Sequence, residues 1–515
     1  MSVSIIPESA PFNAEQRAWL NGFLAGWAGL DGASEADGVV NGVALLEADG
    51  AVPPEAEEDF PWHDDSLALD ERLALAEEKP IERRLMAAMA QLDCGACGYV
   101  CKTYSEAIAA GEEKSLTLCS PGGKETTKAI KRLLKEAPAS AATPTNGAAK
   151  PAESGYTRAN PYAASLVSCE NLNGADSAKQ TTHAVIDLGE SGLTYGVGDS
   201  LGVYPTNCPD LVDEVLEHLG AKEGASFRES LITEHCLREV TDELLDLLAV
   251  KATKPNEADA VRALVDSDDL DEMDVLDVLR RAPSALLGME EFVACLSEIN
   301  PRLYSIASSL KAHPGEVHLT VGKATTRIGA RLHKGVASTM FSDRLATGDA
   351  VRVFVQPSHG FSVPADPAAP MIMVGPGTGI APFRAFLEER AATGATGKNW
   401  LFFGDQHEAS DFLYRNELEK LQANGLLTRL STAFSRDQAE KVYVQDRMLQ
   451  EGAELFSWLE AGGGFYVCGD AKRMANDVDK ALHTLIAEHG ELSEADAKAY
   501  VARLKDSGRY ARDVY

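Results

Sequence analysis

The chain has 515 residues, which is too long for one hydrophobic core and predicts about three domains. Its net charge of −31 argues against nucleic acid and anionic membranes as partners. The chain shows neither a run of eighteen apolar residues nor a signal peptide, so we predict a cytoplasmic protein without a membrane span. In that reducing compartment, the nine cysteines are expected to be ligands, catalytic thiols or core residues.

Residues 1–91 form an acidic segment that we predict to be partly helical and partly loose. Residues 1–80 contain 17 acidic and 3 basic side chains. Residues 13–30 place apolar side chains on one helical face, whereas residues 31–65 are rich in Gly, Ala, Pro and acid. The helix is expected either to dock on a partner or to pack on the chain's own domains. The acidic charge is expected either to meet a basic partner or simply to keep the chain in solution.

Residues 92–136 hold four cysteines, namely Cys94, Cys97, Cys101 and Cys119. Their spacing, C-x2-C-x3-C-x17-C, suits a [4Fe–4S] cluster, and the small residues between them let backbone N–H groups approach cluster sulfides. Zinc also binds thiolates, although its modules more often have two separate C-x2-C knuckles, and structural thiols are a third possibility. The stretch CGACGYVC with YSEAI and CSPGG resembles the small four-cysteine Fe–S domain of bacterial electron-transfer subunits. That family usually has one more residue between the second and third cysteines.

Residues 137–155 are rich in Ala, Pro, Ser and Thr, which predicts a linker. From residue 156 to 365, short alternating runs such as THAVIDL and AVRVFVQ indicate strands, interrupted by an acid-rich helical insert at about 209–298. Residues 366–515 alternate strands with helices. This alternation predicts a parallel sheet that is covered by helices on both faces.

Several stretches after the linker suit a nucleotide cofactor. In PRLYSIASS, Arg302 is able to pair with a pyrophosphate and Tyr304 to stack on a planar ring. Residues 335–338 and the glycine-rich turn in MVGPGTGIAPF offer backbone N–H groups to phosphates. Arg436 and Lys441, with a nearby serine, suit the extra phosphate that distinguishes NADPH from NADH. Each stretch alone also fits an ordinary strand, turn or solvated loop.

In order and spacing, residues 156–515 resemble the FAD/NADPH reductase half of the diflavin reductase family, and most of all the flavoprotein subunits of NADPH–sulfite reductases. The matching motifs are RLYSIASS, TVG, GVAS, GPGTGIAPFRAFLEERA, GKNWLFFGD, DFLYRNEL, SRDQAEKVYVQD, YVCGDAKRMANDV and YARDVY. The resemblance implies a multidomain fold. We expect a small α-rich Fe–S domain, an antiparallel β-barrel FAD domain with a helical insert, and an α/β NADP domain like that of ferredoxin–NADP reductase.

The resemblance also implies roles for single residues. The residues implied for FAD are Arg302, Leu303, Tyr304, Ser305, Thr320, Val321, Gly322, Gly335, Val336, Ala337, Ser338, Thr241 and Tyr515. The residues implied for NADPH are Gly375, Gly377, Thr378, Gly379, Ser435, Arg436, Lys441, Tyr443, Gln445 and Asp477. The hydride-transfer site is implied to contain Ser305, Cys468, Asp513 and Tyr515. Tyr515 would cover the flavin and move aside for the nicotinamide.

Diflavin reductases carry an FMN-binding flavodoxin domain before this half, but residues 1–155 contain no phosphate loop of that kind. We therefore expect the four cysteines to replace FMN, so that electrons pass from NADPH to FAD, to [4Fe–4S] and to a partner metalloprotein. The expected partner is the sirohaem Fe–S hemoprotein subunit of an assimilatory sulfite reductase. The alternatives are a reductase for nitrate or nitrite reductase, a stand-alone NADPH:acceptor reductase, and a flavoreductase tethered by a zinc module.

Overall fold

The computed structural model describes residues 60–515 except 64–66, 93–94, 96, 120, 137–154, 222–224, 266, 359 and 472. The predicted helix at 13–30, the loose acidic stretch through residue 59, Cys94 and nearly all of the predicted linker lie outside the described residues. Phe60–Tyr515 belong to one structural unit. Among the described helices, none is both long and apolar enough to cross a membrane.

Four helices surround Cys97, Cys101 and Cys119. We call residues 60–136 the cysteine module. The helices are α1 (Leu69–Leu75), α2 (Ile81–Ala88), α3 (Cys101–Ala110) and α4 (Gly123–Glu136). Helix α4 is amphipathic, because Ala129, Ile130 and Leu133 are buried while the lysines of its other face are exposed. The buried face packs on a small core that includes Tyr104 and Cys119.

An antiparallel sheet follows the linker. Its strands are β1 (Tyr162–Asn171), β2 (Thr181–Asp187), β3 (Ser200–Tyr204), β4 (Arg302–Ser305), β5 (Glu316–Gly322) and β8 (Ala350–Gln356). They are ordered β4-β3-β8-β1-β2-β5, and every neighbouring pair is antiparallel. A bridge between Ile306 and Leu319 joins the two ends of this order, so the six strands close into a barrel.

A helical insert connects β3 to β4 and has its own hydrophobic core. Its helices are α5 (Pro209–His218), α6 (Ala225–Thr233), α7 (Asp242–Lys251), α8 (Pro255–Arg262), α9 (Val275–Leu279) and α10 (Met289–Val293). The core includes Val212, Leu244, Leu276 and Phe292, all fully buried. After β5, a hairpin of β6 (Thr325–Ile328) and β7 (Arg331–Lys334) leads into the short helix α11 (Val336–Thr339).

The last part of the chain forms a parallel sheet. Its strands are β9 (Met371–Val374), β10 (Asn399–Asp405), β11 (Arg429–Phe434), β12 (Gly464–Gly469) and β13 (Tyr510–Val514). Its helices are α12 (Ala381–Thr393), α13 (Glu408–Asp411), α14 (Arg415–Ala423), α15 (Val444–Gln450), α16 (Gly452–Glu460), α17 (Met474–His489) and α18 (Glu494–Asp506). The strand order is β11-β10-β9-β12-β13. From β9 the chain adds β10 and β11 on one side, and it then crosses to the other side of β9 to add β12 and β13. Ligands are therefore expected at the carboxyl ends of β9 and β12, where the strand order reverses.

Charged side chains hold the two sheets together beside that crevice. Arg384, in α12, donates from Nη1 to Ala307 O at 2.6 Å, and its Nε pairs with Glu417 at 3.0 Å. Ser309 N, just after β4, donates to Glu388 Oε2 at 2.9 Å. The predicted succession of an antiparallel and a parallel sheet is confirmed. The exact domain boundaries stay predictions.

Candidate functional site

Three polar side chains meet where the barrel touches the parallel sheet. Ser305 Oγ, at the end of β4, donates to Asp513 Oδ2 at 2.5 Å. Cys468 is paired with Asp513 across β12 and β13, and its Sγ lies 3.7 Å from the same oxygen. Burial raises the pKa of Asp513 more than its two hydrogen bonds lower it, and burial also raises the pKa of Cys468. Burial is therefore the largest influence on the pKa of this carboxyl group, which a hydroxyl and a thiol contact.

Tyr515 covers the edge of this cluster. Its hydroxyl shares a hydrogen bond of 2.8 Å with Thr378 Oγ1, and its backbone N donates to Gly469 O at 3.0 Å. The residue is 42% exposed. A partly exposed ring whose hydroxyl is held by Thr378 needs little rearrangement to move, as a gate requires.

The glycine-rich turn after β9 lies in the same crevice. It runs from Gly375 through Gly377 and Thr378 to Gly379 and leads into α12. A side chain at Gly379 would collide with the backbone of Cys468, so this turn packs on the end of β12. A Cβ built on Gly322, at the end of β5, would stand 3.1 Å from the methyl carbon of Thr378. Backbone N–H groups at the start of a helix suit a pyrophosphate, and this role of the turn stays a prediction.

The residues predicted to hold FAD lie along the barrel side of the crevice. Arg302, Leu303 and Tyr304 belong to β4 with Ser305, and all four are half-buried. The ring of Tyr304 packs edge-on against Phe341 with centroids 6.0 Å apart, and Arg302 bonds to the preceding carbonyl groups. A half-buried tyrosine and arginine on one strand fit a flavin ring and its pyrophosphate. The flavin contacts themselves stay predictions.

The other predicted FAD residues have structural roles or internal partners of their own. Thr320 Oγ1 shares a hydrogen bond of 2.6 Å with Tyr414 OH, and Val321 is buried in the barrel core. Gly335 precedes α11 as its N-cap, followed by Val336 and Ala337, and Ser338 Oγ accepts the N–H of Ala324 at 3.1 Å. Thr241 is the N-cap of α7, because its hydroxyl accepts from Leu244 N at 3.2 Å and donates to Cys295 O. Capping gives Thr241 a structural role of its own.

The residues predicted to bind the extra phosphate of NADPH gather at the ends of β10 and β11. Ser435 N donates to Asp405 O, and Arg436 N donates to Gln406 O, both at 2.9 Å. The side chains of Arg436 and Lys441 are exposed, and neither has a hydrogen-bond or ion-pair partner within the described part of the chain. Exposed cations without partners suit a polyanionic ligand. Tyr443 is 43% exposed, Gln445 lies in the first turn of α15, and Asp477 lies in the first turn of α17.

A cavity of about 450 Å³ adjoins the Ser305–Asp513 pair. Leu303, Ser200 and Gln356 line it from the barrel, Asp513 and Arg512 from β13, and His63 from the cysteine module. Ser200 pairs with Ser305 across β3 and β4. The sequence carries no signal for this cavity, because its walls come from segments that lie far apart in the chain.

The cysteine module contains a second candidate site. Cys97, Cys101 and Cys119 line one apolar cavity together with Tyr99 and Tyr104, among others. None of the described cysteines forms a disulfide. The backbone N–H groups of Ala90 and Gly122 point at the sulfur of Cys119, while burial raises its pKa. Three thiols and two N–H donors in one apolar cavity fit a soft metal centre, with Cys94 outside the described residues.

Comparison with known proteins agrees with this geometry. Residues 155–235 and 231–340 match the FAD binding domain, and residues 373–480 match the oxidoreductase NAD-binding domain. The chain is 43% identical over 416 residues to the sulfite reductase [NADPH] flavoprotein alpha-component of Bacillus subtilis (strain 168), covering 76% of this chain and 67% of that protein. Its identity to the protein of the same name from Photorhabdus laumondii is 42% over 369 residues, with 70% and 62% covered. The corresponding Yersinia enterocolitica protein is 41% identical over 391 residues, with 74% and 65% covered.

The chain thus spans about two thirds of the length of the curated relatives it matches. The matched domains cover most of the barrel with its insert and most of the parallel sheet, where all the predicted FAD and NADPH residues except Tyr515 lie. With this coverage and identity, the chain belongs to the family of the flavoprotein alpha-components of NADPH-dependent sulfite reductases.

Proposed function

We propose that the chain is a cytoplasmic NADPH-dependent oxidoreductase that passes electrons through FAD and a [4Fe–4S] cluster to the sirohaem hemoprotein subunit of a sulfite reductase. Family membership supports the NADPH and FAD steps, and the printed names of the relatives support sulfite as the final substrate. The cluster step rests on the cysteine module, which none of the matched domains covers.

One observation carries the cluster step. The loop that contains Gly95 and Gly98, which we call the cysteine loop, packs directly on β4. A methyl group added at Gly95 would stand 2.5 Å from Leu303 Cβ, and one added at Gly98 would stand 2.6 Å from Pro301 O. Both glycines have positive φ, +63° and +76°, which also disfavours any larger residue. The loop that bears the clustered thiols therefore touches the strand that carries Arg302, Tyr304 and Ser305.

The chemistry divides between the cofactors and the chain. FAD, when bound, takes two electrons and a proton from NADPH as hydride, and an iron–sulfur cluster carries one electron at a time. In the proposed roles, Arg436 and Lys441 bind the extra phosphate, and Tyr515 yields its place to the nicotinamide. Asp513, whose pKa burial raises and which Ser305 contacts, exchanges a proton at the reacting centre in this proposal.

The first experiment is an iron and zinc assay, followed by an anaerobic visible spectrum before and after NADPH. We expect four iron atoms per chain and bleaching of both the flavin bands and the broad iron–sulfur absorbance. Zinc without iron would refute the cluster and favour the tethering module.

Substitution then separates the two steps. Cys119→Ser should abolish NADPH-dependent sulfite reduction in the presence of the hemoprotein subunit while ferricyanide reduction by NADPH continues. Cys169→Ser, a half-buried cysteine of β1, serves as the matched control and should change neither activity. Turnover with a nitrite or nitrate reductase, but not with the sulfite-reducing subunit, would reassign the acceptor.

A further inference from the structure

Arg158 links the barrel domain to the cysteine loop through two contacts with the loop and a third with Asn300. Its guanidinium lies over the ring of Tyr99, 3.6 Å from the centroid. Its Nη2 donates to Asn300 Oδ1 at 2.8 Å, and its Nη1 donates to Gly98 O. The planar fork of arginine makes the stacking contact and both hydrogen bonds at once, which a lysine is unable to do. Its backbone O accepts from Tyr204 OH at 2.8 Å, so the arginine is anchored in the barrel domain.

Glu239 forms a second link at a different place on the module. Its Oε1 accepts from Ser115 Oγ at 2.8 Å and from Thr117 Oγ1 at 2.7 Å, both in the turn before Cys119. Its Oε2 accepts from Ser297 Oγ of the insert at 3.2 Å. A carboxylate that accepts hydrogen bonds from two hydroxyl groups makes stronger hydrogen bonds than a neutral acceptor does.

We infer that Arg158 and Glu239 fix the cysteine module on the FAD domain, and that this docked position is the one in which electrons leave the flavin. Two anchors on separate parts of the module, with the Gly95–Leu303 contact beside them, oppose both sliding and rotation. The alternative is a module that swings on residues 137–155 and reaches the flavin only transiently. The docking half stands on contacts alone, whereas the electron-transfer half rests on the proposed function.

A zero-length carbodiimide crosslink measures docking directly. Lys131 Nζ lies 3.6 Å from Asp242 Oδ2 across the same interface, and both side chains are accessible, with 47% and 68% exposure. The reagent joins an amine to a carboxylate that is already in contact, and peptide mass spectrometry identifies the joined pair. We expect efficient crosslinking in the wild-type chain and none in Lys131→Arg.

Substitution of the anchors should lower this yield. We expect Arg158→Ala and Glu239→Gln each to reduce the Lys131–Asp242 crosslink at least threefold, and Arg158→Lys to reduce it as well. Arg262→Ala is the control, because Arg262 pairs with Asp259 inside the insert and should leave the yield unchanged. Ferricyanide reduction by NADPH verifies that each variant keeps a folded FAD domain. Yields equal to wild type in Arg158→Ala, in Glu239→Gln and in the double variant would overturn the docking half.

The crosslinked chain then tests the electron-transfer half. In iron-loaded protein, the rate at which NADPH reduces the module should stay within twofold of the untreated rate, and carbodiimide-treated Lys131→Arg controls for modification elsewhere. A tenfold slower reduction of the module, with flavin reduction unchanged, would mean that transfer needs another position and would overturn this half. A chain without iron would overturn the proposed function and this half together, while the crosslink yields would still decide the docking.

Discussion

Removing the two exposed cations at the ends of β10 and β11 gives the sharpest test of nucleotide specificity. In the double variant Arg436→Ala/Lys441→Ala, both proposed phosphate contacts disappear. Neither side chain has a hydrogen-bond or ion-pair partner within the described residues, so the change should leave folding intact. Its effect should therefore fall on binding alone.

The size of the effect follows from the exposure of these side chains. A hydrogen bond to a charged group contributes about 1.5–3 kcal/mol, and exposed groups belong at the low end of that range because water and salt screen them. Two such contacts amount to about 3 kcal/mol, which corresponds to a loss of roughly 100-fold in kcat/KM for NADPH. NADH lacks the extra phosphate, so its kcat/KM should stay within about twofold of wild type, since no contact is lost.

The assay is ferricyanide reduction with each nucleotide at low and at high ionic strength. The difference in kcat/KM between NADPH and NADH should shrink at high salt in the wild type and should be small in the variant at either salt concentration. Lys498→Ala is the matched control, because Lys498 is an exposed cation that pairs with Glu494 within α18. An equal loss with NADPH and NADH, or an unchanged preference, would refute the phosphate assignment.

Three further outcomes are expected. Deletion of Tyr515 should lower the NADPH/NADH preference, because its ring no longer competes with the nicotinamide. Tyr515→Phe removes only the hydrogen bond to Thr378 and should keep the preference, and an equal ratio of kcat/KM for NADPH to kcat/KM for NADH in both variants would contradict the gate. Ser305→Ala and Asp513→Asn should each lower kcat for ferricyanide reduction by about tenfold to a hundredfold. The kcat of the double variant should be no lower than that of Asp513→Asn, because the two groups share one hydrogen bond, and additive losses would show independent roles. Burial lowers the pKa of His318 to about 3 and that of His183 to about 4, so below pH 6.5 the unfolded chain takes up protons that the folded chain does not. The free energy of unfolding should therefore fall as pH drops from 6.5 towards 4. In urea titrations, His318→Gln should reduce the slope of this pH dependence by about 1.4 kcal/mol per pH unit at most, and an unchanged slope would contradict the assigned pKa.

The sequence predicted both sheets because each has a recognisable pattern. The first half of β1 alternates exposed with buried side chains, of which Ala164 and Leu166 are the buried ones. In contrast, β9 and β12 are buried along their whole length, as parallel strands covered on both faces must be. The family resemblance implied a barrel, but its closure through Ile306 and Leu319 could not be predicted, since no local pattern specifies which distant strands pair. The acidic insert was predicted as helical from its amphipathic periodicity.

The site was predicted in its composition but not in its geometry. The motifs placed Ser305 and Asp513 among the candidates, but their hydrogen bond spans 208 positions, and its existence depends on how the two sheets meet. Thr241 shows the opposite case. Its position before Asp242 and Glu243 is a typical helix N-terminus, and that local signal explains the residue without a flavin.

Arg158 belonged to no motif, and Tyr99 stood in CGACGYVC without a predicted role, because their contact depends on how two segments that are distant in the sequence meet. A linker sequence alone favours mobility, and residues 137–155 gave no sign that the module they connect is held elsewhere. Specific docking therefore becomes visible only when the side chains on both surfaces are known.

A docked one-electron carrier changes what must move during turnover. If the module swung, the length of residues 137–155 would set its effective concentration at the flavin, and the delivery rate would vary with that length. With Arg158 and Glu239 holding the module, the cysteine loop stays against β4 and the rate becomes independent of linker length. The moving component is then the acceptor, which must reach the module from a side that β4 and the insert do not cover. In these proposed roles, nucleotide selection would lie at the ends of β10 and β11, whereas electron exit through the cysteine loop would lie beside Leu303, which lines the same cavity as Asp513.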